Sequence, residues 1–243
     1  EEGVWIASFF KLHKFDFNQQ NFSSIDLTFE PTAMFKDSRG SLWLGGWGSV
    51  GIFDLSTKTH KALPDFPRLE VRSIIEDRYE NIWIASIDGL FRYSLNTGKL
   101  DVFKNNPADA QSLSHNGIHH QMIDQAGTLW LGTSGGINKM IPGTEEGKPK
   151  FTHWRTANSN LPHDEVLSVI DGRDGTIWMS SGNRISHFFP NSGEFRNYDH
   201  SDGLHGQLIY RGLRGERGEI YFSSRDGLII FHPDSLHDNS YIA

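Results

Sequence analysis

Apolar and polar positions along this chain follow one short rhythm that keeps returning. At Asn81-Ile82-Trp83-Ile84-Ala85-Ser86 an apolar run surrounds a tryptophan, then Asp88-Gly89 breaks it, and Leu90-Phe91-Arg92-Tyr93 resumes with alternation. The same pattern stands at Val4-Trp5-Ile6, Leu42-Trp43-Leu44, Leu129-Trp130-Leu131 and Ile177-Trp178-Met179, and a last copy, Ile220-Tyr221-Phe222, carries Tyr. The aromatic anchors at 5, 43, 83, 130, 178 and 221 are separated by 38, 40, 47, 48 and 43 residues. Self-similarity at a period of about 40–50 residues marks a repeat architecture.

One copy, Val71 to Lys104, reads as four strands. Val71–Glu76 is the first, and Ile82–Ser86 the second, apolar on both faces and so buried between layers. Leu90–Ser94 alternates as a third, entered through Asp88-Gly89, a pair suited to the positive φ of tight hairpins. Lys99–Phe103 is the fourth. Four antiparallel strands in about 40 residues, repeated, make a β-propeller blade. The tryptophan on the second strand fits the wedge between neighbouring blades, where a large ring buries much apolar area.

The expected fold is therefore all-β, a propeller over residues 1–236 with blades near 1–27, 32–63, 71–104, 116–155, 165–198 and 207–233. The Pro142–Gly147 stretch reads as a solvated extension of the fourth blade, and residues 237–243 as the start of a linker. The first blade lacks its innermost strand and the last has no convincing fourth. Six copies fit a six-bladed ring or most of a seven-bladed one, and the open ends favour a fragment of a larger ring. In four of five blades the residue three before the anchor is glycine (40, 127, 175 and 218), with Glu80 the exception.

Composition narrows the function. Twenty-five glycines and seven tryptophans suit short strands, tight turns and large core rings. A net charge of −7 gives no electrostatic footprint for nucleic acid. No apolar run approaches the roughly 20 residues that span a bilayer, so no direct membrane insertion is expected. Zero cysteines remove disulfides and thiolate metal sites. His119 and His120 are adjacent on a strand and point to opposite faces, and His115 and His119 would lie about 13 Å apart if extended. Neither pair suits zinc, and no metal or other cofactor is expected. Asp171-Gly172-Arg173-Asp174-Gly175 lacks the ligand alternation of a calcium loop and aligns with plain turns. No nucleophile elbow or phosphate-cradling loop is present, so no catalytic residue is assigned.

Strand direction places the second-to-third turns and the blade-to-blade connectors on one face. The turns bring Trp47, Asp88, Ser134, Asn183 and Arg225, and the connectors bring His115, Asn116, His163, Asp164 and His205. Loops on a rigid scaffold are where binding residues concentrate. The ligand-binding candidates are Trp47, Asp88, His115, Asn116, His163, Asp164, Asn183 and Arg225. Trp47, set between glycines, stacks on a sugar ring or a partner in one reading and packs on the next blade in the other. Polar connector residues commonly cap turns instead. Arg72, His119 or His120, and Arg211 lie on the innermost strands.

Met122-Ile123-Asp124 through Gly127-Thr128-Leu129-Trp130-Leu131-Gly132-Thr133, and Ser168-Val169-Ile170-Asp171 through Gly175-Thr176-Ile177-Trp178, resemble the two-component regulator propeller repeat. Ser112–Asn116 and Asn160–Asp164 resemble its connectors. Gly193–Asp199, Asp202-Gly203-Leu204 and Gly227–Pro233 look like the end of the propeller region in such sensors. The resemblance implies the extracytoplasmic or periplasmic sensor region of a membrane signalling protein, whose output is a histidine kinase or diguanylate cyclase lying elsewhere. It implies a non-enzymatic module whose partner is a small molecule or oligosaccharide, with a neighbouring propeller or self-association as further partners. Two other readings stay open: a propeller lyase or hydrolase with a site at the channel mouth, and a purely structural dimerisation platform.

Overall fold

The computed structural model describes residues 3–141, 148–204 and 208–236, which form six antiparallel sheets. The chain divides into two compact units, Glu1–Phe103 and Lys104–Ala243. The expected loop at 142–147, His205 and the expected linker at 237–243 lie outside the described residues.

The first unit holds three sheets. Blade 1 is three-stranded: β1 (Gly3–Ser8), β2 (Lys11–Asp16) and β3 (Asn21–Asp26). Blade 2 runs β4 (Pro31–Lys36), β5 (Leu42–Gly46), β6 (Ser49–Asp54) and β7 (Thr59–Ala62). Blade 3 runs β8 (Val71–Glu76), β9 (Asn81–Ser86), β10 (Gly89–Ser94) and β11 (Leu100–Phe103). The second unit repeats the plan. Blade 4 is β12 (Ile118–Ile123), β13 (Leu129–Thr133), β14 (Gly136–Ile141) and β15 (Lys150–Trp154). Blade 5 is β16 (Val166–Asp171), β17 (Ile177–Ser181), β18 (Arg184–Phe189) and β19 (Glu194–Tyr198). Blade 6 stops at three strands: β20 (Ile209–Arg214), β21 (Ile220–Ser224) and β22 (Gly227–Phe231). Every sheet is a meander, each strand paired antiparallel to its neighbours in sequence. These are propeller blades, the all-β class that the repeat predicts.

The second strands of blades 2 to 5 are buried nearly throughout. All residues of β5, β13 and β17 are buried. The tryptophan turns toward the next blade: Trp43 meets Tyr93 at 5.8 Å, Trp130 meets Phe188 at 6.1 Å, and Trp178 meets Phe231 at 5.1 Å between ring centroids. The residues flanking each tryptophan face the other way. Thus Leu42 and Leu44 pack with Trp5 and Ala7 of blade 1, and Ile82 and Ile84 share a core with Trp43.

The turn before each second strand carries a shared backbone device. Gly40, Gly127, Gly175 and Gly218 have φ between 82° and 98°, and Glu80 takes the same left-handed conformation at φ 59°. The exceptional residue therefore keeps the turn and bears the strain that glycine avoids.

Innermost strands share a second device. Register shifts fall between Pro31 and Ala33, Val71 and Ser73, Ile118 and His120, Val166 and Ser168, and Ile209 and Gly212. An extra residue at such a bulge re-aims a side chain and is common at functional rims. The residues at these shifts are Thr32 and Arg72 in the first unit, and His119, Leu167 and Tyr210-Arg211 in the second.

Candidate functional site

In the first unit the site grows from the β5–β6 turn. Gly46 has no room for a side chain, since a Cβ there would overlap the Glu30 carbonyl. Gly48 supplies φ 76° and donates its N–H to Leu69 O at 3.0 Å. Trp47 between them makes a backbone bridge to Glu70. Trp47 is 57% exposed, so much of it is open to solvent. The Glu70 carboxylate takes Arg72 at 3.3 Å, and both are partly buried. The stem of Arg68 runs beside Gly48. An exposed aromatic residue is therefore joined through its backbone to Glu70, whose carboxylate pairs with the guanidinium at the bulge of β8. Asp88, at the next turn, donates its N–H to Ser86 Oγ, and Ile87 N–H reaches Glu70 O. The turn and the connector are thus tied together within this unit, on one face, as strand direction requires.

The second unit carries a different chemistry. His119, on the bulge of β12, places Nε2 2.8 Å from Ser134 Oγ and 3.6 Å from Glu165 Oε1. Around it the connector residues cap turns. His115 Nδ1 accepts the Gly117 N–H at 2.9 Å, and His163 Nδ1 accepts the Glu165 N–H at 3.0 Å. In both rings Nδ1 is therefore the accepting nitrogen. Asn116 Oδ1 accepts from Asn105 N–H, Asp164 Oδ1 from Thr156 N–H, and Asn183 Oδ1 from Leu208 N–H. Arg225 is exposed at the β21–β22 turn. His120, next to His119 but facing inward, has its pKa lowered to about 4 by burial and by the charge of Arg211. It stays neutral, held by the backbone of Val169 on the adjacent inner strand.

Two clefts lie outside these clusters. One of about 520 Å³ opens between blades 1 and 2, lined by Trp5, Lys14, Phe35, Lys36 and Leu42, at the opposite end of β5 from Trp47. The other, about 160 Å³, lies between blades 5 and 6 against Ile185, Tyr198, Leu204 and Phe231. Among the described residues no group of three or more His, Cys, Asp or Glu is arranged to hold a metal ion.

Sequence reasoning selected Trp47 but not its companions Glu70 and Arg72 as a unit. The signal was Leu69-Glu70-Val71-Arg72, where i and i+2 residues share a side of the strand. It also missed Glu165 beside His119, a contact that depends on the bulge.

The geometry defines a blade-repeat protein of the β-propeller class. The chain matches no family model. It is 24% identical over 256 residues to "Histidine kinase P4" of Formosa agariphila, an alignment covering 83% of this chain and 19% of that protein. Its fold is shared by the extracellular domain of a putative hybrid two component system of B. thetaiotaomicron (21% identity, TM-score 0.57), with 96% of this chain and 38% of the other covered. It is shared too by a streptogramin B lyase (16% identity, TM-score 0.67), with 98% and 80% covered. The chain spans about one fifth of the curated relative and well under half of the sensor domain. No helix among the described residues is long and apolar enough to cross a membrane.

Proposed function

We propose that this chain is a non-enzymatic ligand-recognition module of a membrane-bound signal-transduction protein of the two-component type, working on the extracytoplasmic side. The output activity, a histidine kinase or a diguanylate cyclase, belongs to another part of such a protein. The observation that carries this reading is the exposed Trp47, bridged through its backbone to Glu70, whose carboxylate pairs with Arg72. An aromatic face packs on the apolar face of a sugar ring, while a carboxylate and a guanidinium accept from and donate to its hydroxyls. A small polar metabolite or an oligosaccharide is the ligand class this arrangement suits. The signalling names of the histidine kinase and the sensor domain point the same way. Binding transmits a signal only if affinity differs between two states of the receptor, so the ligand must also touch an element that moves.

A second reading, a lyase or hydrolase, draws on the His119–Ser134–Glu165 cluster and on the fold shared with streptogramin B lyase. General base catalysis needs a histidine within reach of a substrate proton. His119 qualifies by position, with Glu165 poised to stabilise its protonated form.

A thermal-shift screen of oligosaccharides and polar metabolites, followed by calorimetry, separates the two. A ligand of the folded state raises the melting temperature. The sensor reading expects a saturable ligand that is recovered unchanged and whose affinity falls at least tenfold in Trp47→Ala. Turnover of a bound compound that is abolished by His119→Ala overturns it in favour of the enzyme.

A further inference from the structure

Asn116-Gly117 is the one Asn-Gly step in the sequence. It lies in the connector that leads into β12, within the second unit. An asparagine followed by glycine is chemically labile. The next backbone nitrogen can close a five-membered ring on the side-chain carbonyl carbon Cγ, and glycine puts no side chain in the way. In an open chain two things slow this closure. The amide nitrogen is a poor nucleophile until its proton is withdrawn, and the carbonyl oxygen must take up negative charge.

The fold supplies a group at each of these points. The Gly117 N–H donates to His115 Nδ1 at 2.9 Å, so an imidazole lone pair sits on the proton that has to leave. Asn116 Oδ1 accepts the Asn105 N–H at 2.7 Å, so a backbone donor faces the oxygen on which charge develops. Asn105 is itself anchored, its Nδ2 donating to Leu113 O at 2.6 Å. A Cβ at position 117 would crowd the site, standing 3.2 Å from both His115 Nδ1 and Ser134 Oγ.

The next connector shows what the product would look like. His163 Nδ1 accepts the Glu165 N–H, and Asp164 Oδ1 accepts the Thr156 N–H at 2.7 Å, the same two caps around an aspartate. Capping alone therefore requires neither an amide nor a glycine, and an aspartate in place of Asn116 is compatible with the connector.

We propose that Asn116 is a site of intramolecular deamidation, with His115 as the base and the Asn105 N–H as the donor to the oxyanion. The Gly117 nitrogen loses its proton to His115 Nδ1 and bonds to Asn116 Cγ. The Cγ–Nδ2 bond breaks, and Nδ2 leaves as ammonia with the proton that His115 held. Water then opens the cyclic imide at either carbonyl, giving aspartate or isoaspartate. The conversion adds one negative charge to the connector whose Gly117 lies against Ser134. It uses neither Trp47 nor Glu70, so it stands or falls independently of the ligand reading.

The test follows the whole chain at mildly alkaline pH. Samples are digested with trypsin, and the peptide running from Asn105 to Lys139 is read by mass spectrometry and by methyl transfer from an isoaspartyl methyltransferase. The reference is the same chain held unfolded in guanidinium, which keeps the sequence and removes both contacts. The folded chain is expected to convert at least about tenfold faster than the unfolded one, the lower range of general base catalysis. Folded His115→Ala, with an unchanged circular dichroism spectrum, is expected to fall to the unfolded rate. A folded wild type that converts no faster than its unfolded form overturns the proposal, and this comparison needs no variant. So does a folded His115→Ala that converts as fast as the wild type.

Discussion

The indole Nε1 of Trp43 donates a 2.8 Å hydrogen bond to Oδ2 of Asp37, six residues upstream in the same hairpin. Trp83 with Asp77 and Trp130 with Asp124 repeat it at the same length. The other carboxylate oxygen accepts the N–H that opens the second strand, from Ser41, Asn81 or Thr128. One carboxylate thus closes the turn and orients the ring that fills the wedge between blades. Losing it leaves a buried N–H without an acceptor. Asp37→Ala is expected to cost about 1.5–3 kcal/mol, and Asp37→Asn about half of that, read from urea titration.

Blades 5 and 6 place Gly172 and Gly215 where blades 2 to 4 have this aspartate, as the matching turn hydrogen bonds show. Blade 5 uses another route. His187 stacks on Trp178 at 4.0 Å, and its Nε2 lies 2.7 Å from Thr176 Oγ1, which donates to Asp174. Copying the carboxylate into this turn is expected to fail, since a Cβ at Gly172 would lie 2.3 Å from Thr176 Oγ1. Gly172→Asp should destabilise by at least about 1 kcal/mol in the same assay, by overpacking.

Burial against Trp178 lowers the His187 pKa to about 4, with Arg196 pulling the same way and Asp174 opposing. The unfolded chain takes up that proton from about pH 6.5 downward while the folded form resists until about 4. Stability is therefore lost as pH falls through this window and is flat above it. His120 behaves alike. Urea midpoints of wild type and His187→Gln, taken at pH 7.5 and 5, are expected to show a smaller decline in the variant.

Gly40 and Gly175 have open space where a Cβ would stand, so their requirement is purely for positive φ. Gly40→Ala is expected to lose about 1–2 kcal/mol and Gly40→Asn less, because asparagine tolerates the left-handed region. Gly46→Ala should be worse than Gly40→Ala, since its Cβ meets backbone. Thermal melts of the three variants check this order.

Much of the fold was legible because the repeat restates itself. Trp83 and its equivalents fix the second strand, and the Gly40, Gly127, Gly175 and Gly218 turns fix its start. The Asp–Trp clamp was readable too, as a spacing of six at 37/43, 77/83 and 124/130, although periodicity alone gives it no meaning. The site was less legible. Trp47 stood out by its neighbouring glycines, but Glu70 and Arg72 join it only through a connector whose path the sequence does not encode locally. His119 meets Ser134 and Glu165 because a bulge redirects β12, and no residue type announces that bulge. His115, Asn116, His163, Asp164 and Asn183 lie on loops as expected, and in each a ring nitrogen or side-chain oxygen accepts a backbone N–H.

Trp47 offers the most direct measurement of the recognition claim. Trp43, Trp83, Trp130 and Trp178 are no more than 2% exposed, whereas Trp47 stands in solvent, so a ligand that covers it shifts the emission of that residue. A fluorescence titration with a hit from the oligosaccharide and metabolite screen is predicted to give a saturable blue shift in the wild type that vanishes in Trp47→Phe. Saturable binding with the same spectral change in both proteins contradicts the account and moves recognition away from this turn.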